Sequence, residues 1–232
     1  MISVIIPVYD EVENLKKLLP RLGELSNGHH VEIIVSCGVC KADYSVCLSD
    51  LSGVKLLKGN RKGRAPQMND GAAKAKGNIL VFLHADVLPP KHFFEDILQT
   101  FSKGFDAGFF SYRFDRENFF LRINASFTKK KGVFTGGGDQ CLFIKKPIFE
   151  KMGRFDEKQV LMEDFAFFEK MKRANIPYSI VHNDLVVSAR KYSDNSYLRV
   201  NLVNLLLVIL FKCKMAPKRL QKLHYRLLKV PR

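Results

Sequence analysis

The stretch NILVFLHAD, residues 78–86, runs apolar from Ile79 to Leu83 and then ends in an imidazole and a carboxylate. A strand with no polar alternation has no wet face and must be covered on both sides, as in parallel sheets. Working outward, Ser3 to Tyr9, VEIIVS (31–36) and VKLLKG (54–59) have the same character, separated by the helix-compatible EVENLKKLLPRL (11–22) and by GRAPQMNDGAAKAKGN (63–78). In the latter, Ala73 to Lys76 favour helix and Gly77 supplies a stop. Alternating strand and helix signals predict an α/β, doubly wound, Rossmann-like nucleotide-binding unit.

Downstream, Pro89-Pro90 is expected to end the fourth strand, and KHFFEDILQTF (91–101) has helical spacing with a broad apolar face. AGFFSYRF (107–114) and QCLFIKK (140–146) read as further, antiparallel strands. MEDFAFFEKMKRA (162–174) reads as an amphipathic helix, and YSIVHNDLVVSAR (178–190) as a late strand or two.

Composition narrows the function classes. At 232 residues and 47% hydrophobic content the chain can bury a sizeable core, which excludes disorder as the default. The N-terminal apolar run is too short for a leader and is expected to be the first strand. Five cysteines without a leader predict reduced thiols in the cytoplasm. The formal charge is +15, and residues 186–232 hold 11 Lys or Arg against Asp194 alone. That tail also carries the apolar run Leu202 to Phe211, too short to span a bilayer. Basic and apolar together suit an anionic membrane surface better than nucleic acid, which is not expected as a partner. Packing of the run as a core helix is the competing reading.

In open α/β sheets ligands bind beyond the carboxyl ends of the strands, which directs attention to Tyr9 to Glu11, Cys37 to Cys40, His84 to Asp86 and the segment before Asp139. A carboxylate at Asp86 is costly beside an apolar strand unless it faces a polar or metal-containing site, although a turn or helix cap would also hold it. Gly136-Gly137-Gly138 before Asp139 and Gln140 lets backbone approach a ligand, or makes a plain turn. Glu163 and Asp164 open a helix, where the dipole favours acids and where a carboxylate could also take a proton. Cys37 and Cys40 have redox spacing, and His29 and His30 lie upstream, but no second C-x-x-C completes a zinc site. Ser188-Ala-Arg-Lys-Tyr192 offers cations and a ring to a diphosphate or sugar, or is a solvated cluster.

Taken in order, SVIIPVYDE, GRAPQMNDGAAKAKG, ILVFLHAD, GGGDQCLFI, LMED and SARKY resemble the family 2 glycosyltransferases, especially a small bacterial group with an FLHAD strand end and a GDQ loop. The resemblance runs from about Ser3 to about Tyr225 and implies a GT-A fold: a mixed sheet flanked by helices, with a catalytic domain at 1–192 and a basic helical extension at 193–232. It implies an inverting transferase, a nucleoside diphosphate sugar donor, a sugar, lipid-linked or other hydroxyl acceptor, and a divalent metal, manganese or magnesium.

By the same resemblance, Pro7, Tyr9, Glu11, Cys37, Arg64, Asn69, His84, Asp86, Arg190 and Lys191 fall on the nucleotide and donor side. Asp86 is left as the metal-binding carboxylate. Gly138, Asp139 and Gln140 fall on the acceptor and sugar side, and Asp164, with Glu163 beside it, at the general base. The chain departs from the family at Ser36-Cys37-Gly38, where an acid usually holds the base of the nucleotide. The expected place of action is the cytoplasm, peripheral to the inner face of the cytoplasmic membrane. A nucleotide-sugar-binding module with little turnover, and a basic membrane- or nucleic-acid-binding protein, are the alternatives.

Overall fold

The computed structural model describes residues 1–39, 44, 53–132 and 135–229. Four parallel strands form one half of the sheet: β1 (Ile2–Val8), β2 (Val31–Cys37), β3 (Val54–Lys58) and β4 (Ile79–Phe82). The other half holds β5 (Val87–Leu88), β6 (Ala107–Phe114), β7 (Phe143–Lys145) and β8 (Tyr178–Val187), giving the order β3-β2-β1-β4-β7-β6-β8-β5. Strand β7 runs antiparallel to both β4 and β6, β6 is parallel to β8, and β5 is antiparallel to β8, so the sheet is mixed.

The helices are α1 (Val12–Leu25), α2 (Arg64–Lys74), α3 (Phe93–Ser102), α4 (Phe119–Thr128), α5 (Lys146–Lys151), α6 (Glu163–Arg173), α7 (Tyr197–Lys212) and α8 (Pro217–Leu227). Every residue of β1 is buried, and its alternate side chains enter different cores. Val4, Ile6 and Val8 pack with Leu15, Leu18 and Leu22 of α1, whereas Ile5 packs with Met68 of α2 and with Phe167 and Phe168 of α6. This two-sided burial is why the strand reads as a continuous apolar run.

Two boundaries differ from the sequence expectation, at the start of α2 and at the end of β4. Helix α2 begins at Arg64, a turn or more ahead of the Ala73 to Lys76 segment, because Pro66 sits in its first turn, where proline's missing N–H costs nothing. Residues 178–187 form one strand, in line with the expected late strand or two. Strand β4 ends at Phe82 instead of at the Pro89-Pro90 pair. The chain then turns through Ala85 and Asp86, and Val87–Leu88 joins β8 at the far edge of the sheet.

That last connection shapes the molecule. Four strand spacings of about 4.8 Å separate β4 from β5 in a flat sheet, roughly 19 Å, whereas five Cα steps from Phe82 to Val87 reach at most about 18 Å. The sheet must curl, and His84 and Asp86 are carried over its concave end.

The tail is ordered as a pair of packed helices. Val200, Val203 and Leu207 of α7 and Leu220 of α8 are buried together against Leu161, Met162 and Tyr192. Asn195 closes the pair, accepting from the Lys229 N–H at 2.9 Å and donating to the Lys191 carbonyl at 3.0 Å. The expectation that Leu202 to Phe211 packs as a core helix holds for one side of the run, while Leu202, Leu205, Leu206 and Ile209 are exposed. Among the described residues no helix is long and apolar enough to cross a membrane.

Candidate active site

The ends of β1 and β4, the Gly136 to Gln140 loop, the start of α6 and the Ser188 to Tyr192 segment converge on one crevice. Its centre is His84, buried, with Nδ1 3.9 Å from Asp139 and Nε2 4.0 Å from Asp164. Lys191 lies 3.6 Å from the other oxygen of Asp139. At the rim, Arg190 reaches Glu11 at 3.3 Å and Asp86 at 3.4 Å, tying the first strand end to the fourth.

The electrostatics follow from crowding of charge in a poorly solvated space. Burial is the largest influence on Asp164 and raises its pKa; the neighbouring Glu163 raises it further, and His84 and Arg64 only partly offset this, leaving it at about 7. Burial also works to raise Asp139, but Lys191, His84 and Arg64 outweigh it and hold that carboxyl well below its ordinary range. Burial and Arg64 work against a charge on His84, yet Asp139 and Asp164 together raise its pKa. Desolvation by the crowded protein likewise opposes the charges of Lys191 and of Arg64, although Arg64 is exposed at the start of α2. Glu163, Asp164, Asp86 and Asp139 more than restore that of Arg64, and Asp139 above all that of Lys191. Two neighbouring aspartates thus have their pKa values driven apart, the arrangement that separates a proton acceptor from a fixed charge.

The local backbone is built for this convergence. Asp10, Cys141 and Met162, none of them glycine, hold positive φ of 53°, 51° and 63° at the exits of β1 and the GDQ turn and at the entry to α6. Strain of this kind persists where the surroundings over-determine it and clusters at functional sites. Gly138 has no room for a side chain, since a Cβ there would meet His84 Cε1 at 2.2 Å and Asp164 Oδ2 at 2.5 Å.

Other expected residues lie at the margin. Tyr9 is exposed beyond β1, and Pro7 is buried within it. Asn69 lies further along α2 with its amide engaged: it donates to the Phe155 carbonyl and Glu157 at 3.0 Å and accepts from the Phe155 N–H at 3.2 Å. Gln140 is buried, accepting from the Gly136 N–H and donating to the Thr128 carbonyl, and so shapes the glycine loop from behind. Cys37 is disulfide-bonded, whereas Cys141 and Cys213 carry free thiols. The expectation of reduced thiols throughout fails at Cys37, because counting cysteines does not report their separation in space. Cys40 lies outside the described residues.

Two neighbours of the site gave no signal in the sequence. Tyr112 is held neutral by burial, with Asp139 adding to the shift. His224 of α8 has its pKa lowered by burial, with Lys191 and Arg64 adding to the effect, which brings the tail helix into the field of the crevice.

A cation site can be tested against these donors. Asp86 offers hard carboxylate oxygens, partly exposed and already facing charge. Among the described residues no three carboxylate, imidazole or thiol groups gather into a cage. Mg2+ and Mn2+ fit such a setting, because they are commonly held by one or two carboxylates together with substrate phosphates.

The chain is similar to known proteins in sequence and in fold. An undecaprenyl-phosphate 4-deoxy-4-formamido-L-arabinose transferase of Proteus mirabilis is 25% identical over 94% of this chain and 69% of its own length. Among solved structures, the mannosyltransferase PcManGT of Pyrobaculum calidifontis, in complex with GDP-Man and Mn2+, superposes with a TM-score of 0.68 at 17% identity, covering 97% of this chain and 68% of that one. S. aureus TarS 1-349 in complex with UDP-GlcNAc superposes with a TM-score of 0.66 at 14% identity over 96% and 70%. The fold is GT-A. The family model "Glycosyl transferase family 2" matches residues 3–168, and with the curled mixed sheet and the crevice at its strand ends this makes the chain a glycosyltransferase of that family.

Proposed function

We propose that the chain transfers a sugar from a nucleoside diphosphate sugar to a hydroxyl acceptor with inversion, and that Asp164 is the general base. The observation that carries this reading is the Asp164 carboxyl itself: largely enclosed at the N-terminus of α6, beside His84, with a pKa raised to about 7. A carboxylate with that pKa is matched to accept a hydroxyl proton at neutral pH.

In this reading the acceptor oxygen bonds to the anomeric carbon as its proton passes to Asp164 Oδ2. The bond from that carbon to the diphosphate oxygen breaks, and the nucleoside diphosphate leaves with the electron pair. Arg190, Lys191 and Arg64 place positive charge where the leaving group gathers negative charge. A divalent cation, Mn2+ or Mg2+, held by Asp86 and the donor's phosphates, would neutralise the same charge. His84 and Asp139 hold each other as an ion pair behind the base and fix the direction in which it faces.

The relatives' name supports a second reading for the acceptor, a lipid-linked phosphate. A phosphate oxygen arrives already ionised and needs no base, so the two acceptors separate experimentally. The tail helices would hold the chain at an anionic membrane, on its cytoplasmic side, where such a lipid is found.

Titration calorimetry with a panel of nucleotide sugars, with and without Mn2+, tests the donor half. Metal-dependent binding of one donor class, weakened in Asp86→Ala, is the expected result, and no binding across the panel would overturn it. Turnover on soluble hydroxyl and polyprenyl-phosphate acceptors tests the other half. Loss of activity in Asp164→Asn on the hydroxyl acceptor supports the base; full activity there removes it.

A further inference from the structure

Large apolar side chains are left open on two neighbouring helices. On α4, Phe119, Phe120 and Ile123 are exposed on one face, Phe119 to 69%. On α7 the same holds for Leu198, Leu202, Leu205, Leu206 and Ile209, with Leu202 65% exposed. The helices lie side by side: Asn124 donates to Asn201 at 2.8 Å, the Tyr197 hydroxyl donates to Asn124 Oδ1 at 2.8 Å, and the rings of Phe120 and Tyr197 are 5.0 Å apart. Phe119 and Ile123 each precede a seam residue of α4, and Leu198 and Leu202 each follow one of α7, so exposed apolar side chains flank the seam on both helices. Contiguous apolar surface of this kind marks an interaction site.

Charge decides what covers it. Residues 118–132 and 195–229 contain twelve Lys or Arg and no Asp or Glu. A second copy seated face to face would bring cations against cations, and nucleic acid would leave the phenylalanines and leucines unburied. An anionic bilayer accommodates both features, with apolar side chains at the acyl boundary and cations among the head groups.

We propose that α4 and α7 together form a docking face for an anionic phospholipid bilayer, with Phe119 and Phe120 as insertion residues. This rests on the membrane part of the preceding reading and extends it from the tail to α4, which belongs to the catalytic fold. Tyr197, at the seam, is stacked on Tyr192 next to Lys191, so the docked face would adjoin the crevice.

The chain contains no tryptophan, so single replacements are clean reporters. In Phe119→Trp and Leu202→Trp, emission is expected to shift to the blue on adding phosphatidylglycerol vesicles and to be quenched by brominated acyl chains, while phosphatidylcholine vesicles have little effect. Lys17→Trp, on exposed α1, should not respond. The pair Phe119→Glu with Leu202→Glu should lower vesicle affinity at least about tenfold with an unchanged thermal transition. A shift at Leu202→Trp with none at Phe119→Trp overturns the composite face and leaves the tail reading standing. Wild-type protein that stays in the supernatant with anionic vesicles overturns both. A wild-type dimer that the double variant renders monomeric assigns the face to a second copy instead. Donor binding by calorimetry is read separately from all of these.

Discussion

Gly138 and His84 are in such close contact that the glycine has no space for a methyl group: a Cβ would lie 2.2 Å from the imidazole Cε1. The GDQ turn is thus packed onto the imidazole between Asp139 and Asp164, and the loop and the base share one geometry. Gly138→Ala must push His84 away from both carboxylates. We expect kcat to fall by about 100-fold, the scale of a 1 Å misplacement, with a stability loss of about 1–3 kcal/mol from overpacking. Steady-state kinetics and thermal melts check this, and an alanine variant with wild-type kcat would show that the loop does not set the base.

Asp164→Asn keeps shape and removes the proton acceptor. On a hydroxyl acceptor kcat is expected to fall by about 100- to 10,000-fold, the usual contribution of a general base. Wild-type kcat should rise with pH through about 7, where Asp164 ionises, and the variant should lack that limb. A pH profile of the same shape in both proteins would assign the titration elsewhere.

The same substitution should stabilise the protein. A carboxyl whose folded pKa is about 7 against an ordinary 3.8 makes folding less favourable as pH rises from about 4 to about 7, by at most about 4 kcal/mol. Asp164→Asn removes that burden, so its melting temperature should exceed wild type at pH 8 and do so by less at pH 5. Equal gaps at the two pH values would contradict the raised pKa.

Arg190 is half-exposed and joins Glu11 to Asp86, so its removal should weaken donor capture more than it disturbs the fold. Arg190→Ala is expected to raise the donor KM by roughly tenfold or more, as for a lost charge-assisted hydrogen bond, with little change in melting temperature. A lowered melting temperature with unchanged KM would make the residue a strut and not a ligand.

Glu32 is nearly buried at the opposite end of the sheet from the crevice. It accepts from Ser3 at 2.6 Å and from the Lys76 N–H at 2.5 Å, and it pairs with Lys55 at 2.8 Å. Burial raises its pKa, but these partners outweigh burial and bring it down to about 2. Its contribution to stability is therefore present above about 4.5 and lost as pH falls toward 2, by at most about 3 kcal/mol. Glu32→Gln should flatten the acid limb of the unfolding curve, and an unchanged limb would place the acid-sensitive group elsewhere.

The parallel half of the fold was legible because burial on both faces leaves a mark in the sequence: Ile5 and Ile6 point to opposite cores, and both must be apolar. The exit of β4 was misread, because Val87 and Leu88 are as apolar as Phe82 and no local pattern tells which strand an apolar pair will join. Asp86, Asp139, Asp164, Arg190 and Lys191 stand out in the sequence by their places near strand ends and at a helix start, and the fold brings their side chains into one crevice. Asn69 and Gln140 had the right polarity, but hydrogen bonds that only the folded chain makes turn their amides inward. His224 lies 33 residues beyond Lys191 in the chain, and nothing short of the packed tail connects them.

The short span from Phe82 to Val87 also orders events in time. Strand β5 can pair only with β8, whose last residue, Val187, is 100 positions beyond Val87. During synthesis, the parallel half and its two-sided core can form while β5 still lacks its partner, since contacts near in sequence close first. His84 and Asp86 receive their final placement only when residues 178–187 dock, so the nascent chain can gather much of its body before it has a working centre.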